Sequence, residues 1–213
     1  MIARRLLADR DGASAVEFAI VLPLLIVFLL GTVDLARFLW ECNRAEKATQ
    51  TGVRYAVVTD IVPSGLAAYS FTVSDGLLQG AEVPVANFAG AKCQSTAVSG
   101  NDATAIACTR VDGGACPAWC GTPNLAAFNK IAVRMRLIFP RLTAANVELR
   151  YEYSGLGYAG DPNGADVAPL VVVRLRNVVF KPVLMSFFKT NSIGLPAFSA
   201  SLTLEDGSGN MAN

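Results

Sequence analysis

Residues 10–31, "RDGASAVEFAIVLPLLIVFLLG", decide the fold. From Ala13 to Val33 the one charged side chain is Glu17. A helix of that length rises about 31 Å at about 1.5 Å per residue, which matches a hydrocarbon core of roughly 30 Å. Arg4, Arg5 and Arg10 precede it. Because cationic flanks are retained on the cytoplasmic side, the N-terminus is expected inside and the chain beyond about residue 34 outside.

A removable signal peptide would need small residues at a cleavage point just past the apolar core. The sequence instead runs on as "GTVDLARFLWECNRAEKATQTGVRYAVV" (31–58), helix-compatible throughout, with no proline between Leu24 and Val62. Asp34 and Arg37 are three apart and can pair on one helical face. Ala45, Ala48, Gly52 and Ala56 form a stripe of small residues that permits close helix packing. The partner could be a second chain or this chain's own exported domain. The predicted helix therefore continues well past the membrane.

Glu17 is the anomaly in this segment. A carboxylate within or at the edge of lipid costs a few kcal/mol on insertion scales, about 3 for an acid at the centre, and such residues tend to be functional. One account leaves it at the interface, within a turn of Ser14 and solvated by headgroups. The other makes it useful. A cut after Gly12 would free the amine of Ala13 one helical turn away, and the amine of one subunit could meet Glu17 of a neighbour. Buried charges persist when paired.

Composition narrows the function classes. Hydrophobic residues are 53% and charged residues 16%, which argues against a disordered chain. The net charge of +1 gives no basic surface of the kind nucleic acid demands, so no nucleic-acid partner is expected. Histidine is absent, which removes the commonest neutral-pH general base and transition-metal ligand together. There is no Ser-His-Asp set, no Cys-His pair and no Gly-rich phosphate loop. No catalytic residue, cofactor or metal is predicted, and the chain reads as a non-enzyme.

Four of the five cysteines, Cys93, Cys108, Cys116 and Cys120, cluster in a Gly-, Ala-, Ser- and Thr-rich stretch, while Cys42 stands apart. The gaps are wrong for zinc and for a thioredoxin-like pair. Two disulfides in an oxidising compartment are the expected arrangement, which agrees with the orientation from the arginines. Four cysteines allow three pairings and sequence does not choose among them. Cys42 could be a thiol, pair within the chain, or link two copies.

"DGASAVEF" (11–18), a basic leader ending in Gly12 and then four residues before Glu17-Phe18 and an apolar helix, resembles a type IV prepilin leader. The short leader and the Glu-Phe pair resemble more specifically the TadE-like family of the tight-adherence (Tad/Flp, type IVc) pilus system. "AVEFAIVLPLLIVFLLGTVDLARFL" (15–39) is similar to that family's signature nearly position by position, including Pro23 and the acid Asp34. "TGVRYAVV" (51–58) is similar to the Gly-x-Arg-Tyr-Ala segment that ends the family's long helix. "FKPVLMSFF" (180–188) and "AFSASLTLE" (197–205) look like its closing Pro-rich bend and final strand. The related TadG-like proteins add a metal-binding Asp-x-Ser-x-Ser, which is absent here. The resemblance is thus to a minor pseudopilin of TadE or TadF type. It implies cleavage between Gly12 and Ala13 by a prepilin peptidase, with Glu17 and Phe18 serving subunit assembly. It also implies other Tad pilins and pseudopilins and an inner-membrane assembly platform as partners, and a role in pilus biogenesis, surface attachment and biofilm.

Beyond Val62 the chain shifts to Gly, Pro, Ser and Asp punctuating short apolar runs, of which "SFTV" and "TAIACTRV" could be strands. A stretch this long is uncommon without function or covalent staples. "TPNLAAFNKIAVRMRLIF" (122–139) predicts a helix capped by Thr122 with Pro123 in its first turn. Leu125, Phe128, Ile131, Met135 and Ile138 give it one apolar face, the pattern of a helix on a sheet. After Pro140 the period becomes two. "NVELRYEYS" puts Val147, Leu149, Tyr151 and Tyr153 on one side, and Val171, Val173 and Leu175 oppose Val172, Arg174 and Arg176. "AFSASLTLED" supplies a last strand facing with Phe198, Ala200, Leu202 and Leu204. The turn-rich connection at 154–165 carries Asp161 and Asn163, with Asp166 next to it. An EF-hand would need a Glu where Val172 stands, so a surface hairpin is expected there rather than calcium.

The predicted fold is α+β: a long N-terminal transmembrane helix extending into a small pilin-like domain with a second helix and an antiparallel sheet. The expected organisation is a leader at 1–12, a membrane segment at 13–33, an exported helix at 34–61 and a loop-rich cysteine segment at 62–121. A helix-plus-sheet region at 122–206 and a disordered tail at 207–213 complete it. Expected localisation is a single-pass inner-membrane protein with a cytoplasmic N-terminus and a periplasmic domain, with the pilus and cell surface as a further location. The alternative function is a membrane-anchored periplasmic binding or adhesion protein that enters no fibre and needs neither cleavage nor Glu17.

Overall fold

The structure, a computed structural model of the chain, describes residues 13–162, 164–184 and 192–204. The leader through Gly12, Asn163 of the calcium guess, part of the Pro-rich bend and the tail expected to be disordered all lie outside the described residues. The fold is α+β. Its helices are α1 (Ala13–Ala56), α2 (Phe71–Asp75) and α3 (Leu125–Ile138). Its strands are β1 (Ala91–Ser99), β2 (Asp102–Arg110), β3 (Val147–Glu152), β4 (Leu170–Leu175), β5 (Val179–Phe180), β6 (Ile193–Gly194) and β7 (Ser199–Thr203). Helix α1 is a single run that includes Pro23, and it continues past the apolar stretch as the proline-free sequence after Leu24 predicts.

Two compact units emerge, one of Met1–Glu41 with Val179–Ile193 and one of Cys42–Val178 with Gly194–Asn213. The second holds the main sheet, antiparallel throughout in the order β2-β1-β3-β4-β7. Its inner face follows the predicted alternation. Val147, Leu149 and Tyr151 of β3 and Val171, Val173 and Leu175 of β4 are buried. Phe128, Ile131 and Met135 of α3 are fully buried in the same core. Each such large apolar side chain contributes about 1.5–3 kcal/mol.

The small-residue stripe of α1 belongs to this core. Ala45, Ala48 and Ala56 are completely buried, and a Cβ on Gly52 would come within 2.7 Å of Met135 Cγ and 3.3 Å of Val173 Cγ1. The stripe therefore receives the chain's own α3 and sheet. Arg44 adds a hydrogen bond from Nε to the Ile138 carbonyl at 2.8 Å, satisfying one of the open acceptors at the end of α3.

Three local expectations are corrected. "SFTV" is helical in α2 rather than a strand, because its first N–H, on Phe71, is held by the Asp166 carboxylate at 2.8 Å and Gly76 closes the turn at φ 70°. Thr122 is not the cap of α3. Asn124 is, its Oδ1 accepting the Ala127 N–H at 3.0 Å. The reason is a pairing of Pro63 with Pro123 and a hydrogen bond from Asn124 N to the Val62 carbonyl at 2.7 Å, which keep 122–124 extended. The cysteine-bearing stretch also contains more sheet than expected: β1 and β2 form a hairpin of nine residues in each strand, turning at Gly100 and Asn101.

Candidate functional site

Helix α1 carries the residues that the sequence singles out. Its apolar stretch is long enough to cross a membrane, and no part of it is buried. Leu24 and Phe28 are each 69% exposed, and Val16, Phe18, Ile20 and Leu25 are likewise uncovered. Such a surface is unstable in water and matches lipid or other apolar helices. Ala13 starts the helix, and Glu17 and Phe18 lie exposed in its first turns. Among the described residues no hydrogen bond or ion pair reaches Glu17. Gly12 lies outside them.

At the end of the apolar stretch a second feature appears. Asp34 pairs with Arg37 at 3.3 Å, as their spacing predicts. Its carboxylate does more than that: Oδ1 accepts the Val183 N–H at 2.9 Å and Oδ2 the Leu184 N–H at 2.6 Å. The Val183 N–H acts most strongly on the acid, and burial opposes it. With the Leu184 N–H and Arg37 added, the carboxyl is held below its usual range. Phe180 packs edge-on against Phe38 with ring centroids 5.5 Å apart, and the Arg37 guanidinium lies 5.5 Å from the Phe180 ring centre. Segment 180–184 is thus fastened to α1 at two points. Sequence reasoning placed Asp34 at the membrane exit but missed these partners, because 149 residues separate Asp34 from Val183.

The cysteines resolve into two bridges. Cys93 and Cys108 are direct partners across β1 and β2, with Cα atoms 4.1 Å apart. Cys116 joins Cys120, with Cα atoms 5.9 Å apart. One pairing of the three is therefore selected, and Cys42 lies outside both bridges. Trp119 is buried beside the second bridge and stacks at a tilt on Phe88, with centroids 4.9 Å apart.

Asp166 is fully engaged by backbone: besides Phe71, its Oδ1 accepts the Asp161 N–H at 3.1 Å. It fastens the long β3–β4 connection to α2, so this end of the expected surface hairpin is buried. No group of three or more His, Cys, Asp or Glu close enough to hold a metal occurs among the described residues. Glu148, on the outer face of the sheet, is also buried. Burial would raise its pKa, but hydrogen bonds from Arg150, at 2.7 Å, and from Arg176 outweigh that and lower it. Tyr151 lies inside the core, where its hydroxyl accepts the Val62 N–H at 3.1 Å. Desolvation pushes that phenol far above its ordinary pKa, so it is a neutral structural group.

One helix long and apolar enough to cross a membrane is continued into a disulfide-bearing α+β domain, an arrangement that suggests a single-pass membrane anchor. Residues 12–54 match the family model described as TadE-like protein. Over that segment the chain is similar to the TadE-like family. The match begins at Gly12 and stops just short of the end of α1. No curated protein and no solved structure matches the chain.

Proposed function

We propose that the protein is a minor pseudopilin of a tight-adherence pilus, trimmed after Gly12 by a prepilin peptidase. The observation that carries the reading is an uncovered apolar helix bearing one solitary carboxylate, Glu17, inside a TadE-like segment that starts at Gly12. Glycine leaves the scissile bond without a side chain on its N-terminal side. The freed amine of Ala13 then offers a positive charge to Glu17 of a neighbouring subunit, so that both charges enter an apolar bundle as a pair. Phe18 and the apolar residues after it form the assembly surface. The N-terminus faces the cytoplasm and the disulfide-bearing domain the periplasm. Partners are the peptidase, other Tad pilins and the inner-membrane platform, and the output is pilus biogenesis, attachment and biofilm.

The test is the mass of the mature N-terminus, from membranes with and without the host's prepilin peptidase. A chain starting at Ala13 only when the peptidase is present supports the reading, and Glu17→Ala should then abolish pili while leaving the protein inserted. A chain starting at Met1 in both samples overturns the processing step. What remains is an anchored binding or adhesion protein outside any fibre.

A further inference from the structure

At the membrane exit of α1 lies an apolar groove of about 390 Å³. Gly31, Leu35 and Phe38 form one wall, and Phe180, Pro182 and Leu184 the other. Its size falls in the range of roughly 300–1,000 Å³ typical of small-molecule sites. Gly31 belongs to the last turn of the apolar stretch, and Phe38 lies two turns further on, about 10 Å along the axis at about 1.5 Å per residue. With α1 inserted as proposed above, the groove would start in hydrocarbon and end in the headgroup layer. Its acid is already satisfied, since Asp34 accepts two backbone N–H groups and faces Arg37. Lys181, between two lining residues, is exposed, and Arg37 keeps 42% of its side chain accessible. Cations at that depth face the phosphate layer of the bilayer.

We propose that this groove holds one acyl chain of an anionic phospholipid, whose phosphate is met by Lys181 and the outer edge of Arg37. The lack of a side chain at Gly31 is what keeps the lower end open: a Cβ there would make ordinary contact with Leu184 Cδ2 at 3.7 Å, and anything larger would fill the channel. The Asp34 clamp holds the second wall in place. Lipid occupancy would fix the height at which α1 leaves the membrane. The inference rests on the membrane-anchor part of the proposed function and is independent of cleavage after Gly12.

The test uses the full chain. Carbonate washing of membranes comes first, and release into the soluble fraction would overturn both the anchor and the lipid site. Protein that resists washing is purified in mild detergent and examined by native mass spectrometry with equal amounts of phosphatidylglycerol and phosphatidylcholine. The expected result is one retained lipid per chain, with phosphatidylglycerol favoured about fivefold, the effect of one interfacial cation. Lys181→Gln should remove most of that preference, since Arg37 is already paired with Asp34, and Gly31→Leu should remove the retained lipid altogether. Equal retention of both lipids, unchanged by either substitution, would mark an ordinary lipid shell and overturn the site. A dimer that dissociates on Gly31→Leu would overturn it too, by showing a second copy of α1 in the groove.

Discussion

Gly52→Ala tests the packing of the C-terminal part of α1 on α3 and the sheet. On an exposed helix this change stabilises by about 0.8–1 kcal/mol, because glycine is the poorer helix former. At Gly52 the new methyl would sit 2.7 Å from Met135 Cγ and 2.8 Å from Met135 Sδ. Overpacking of this kind costs about 1–3 kcal/mol, since Met135 is completely buried and must leave its rotamer or push α3 away. The net expectation is a loss of about 1 kcal/mol, or roughly 2–4 °C in the midpoint for a chain of this size. The assay is thermal unfolding of the detergent-solubilised full chain by circular dichroism, run in two backgrounds. With Met135→Ala the two closest contacts disappear and only the 3.3 Å approach to Val173 Cγ1 remains, which a shift of a few tenths of an ångström relieves, so the same Gly52→Ala change should raise the midpoint relative to Met135→Ala alone. This inversion of sign is the content of the prediction. An increase in both backgrounds would refute the idea that Gly52 is needed for close approach, and with it the assignment of the small-residue stripe to this interface.

Removing the cross-strand bridge with Cys93→Ala and Cys108→Ala should cost about 3 kcal/mol, the figure for a loop of about 15 residues. It should be visible as a lower midpoint without loss of sheet signal. Glu148 should make the domain acid-sensitive: its pKa is lowered on folding, so its contribution is complete above the ordinary glutamate pKa and drains away as pH falls through the lowered value. Glu148→Gln should accordingly lower the midpoint at pH 7 and change it little at pH 2, and an equal loss at both pH values would contradict the ion-pair account. Asp34→Ala should speed amide hydrogen exchange at Val183 and Leu184, read by mass spectrometry of full-length protein. Unchanged protection of both amides would mean that the clamp does not hold them.

The sequence by itself determined what depends on local order. Twenty-one residues with one charge are long and apolar enough to span a bilayer, because helix geometry and bilayer thickness fix the required length. The 3.6-residue period of Phe128, Ile131 and Met135 and the two-residue period of Val147, Leu149 and Tyr151 specify their elements in the same way, since burial selects one face. The solitary position of Glu17 in the apolar run is equally readable from local order.

Contacts between distant segments were decided only by the tertiary structure. The pairing of Cys93 with Cys108 follows from the β1–β2 register, which puts them opposite each other. The stripe at Ala45, Ala48 and Gly52 fits any close partner, and only the fold brings Met135 and Val173 against it. "SFTV" has strand propensity but is helical because Asp166, 95 residues away, accepts the first N–H of its helix. Asp34 likewise reads as an acid beside Arg37 until Val183 and Leu184 bring their N–H groups to it. A side chain declares its chemistry in the sequence, whereas the backbone group that will satisfy it is chosen by the path of the whole chain.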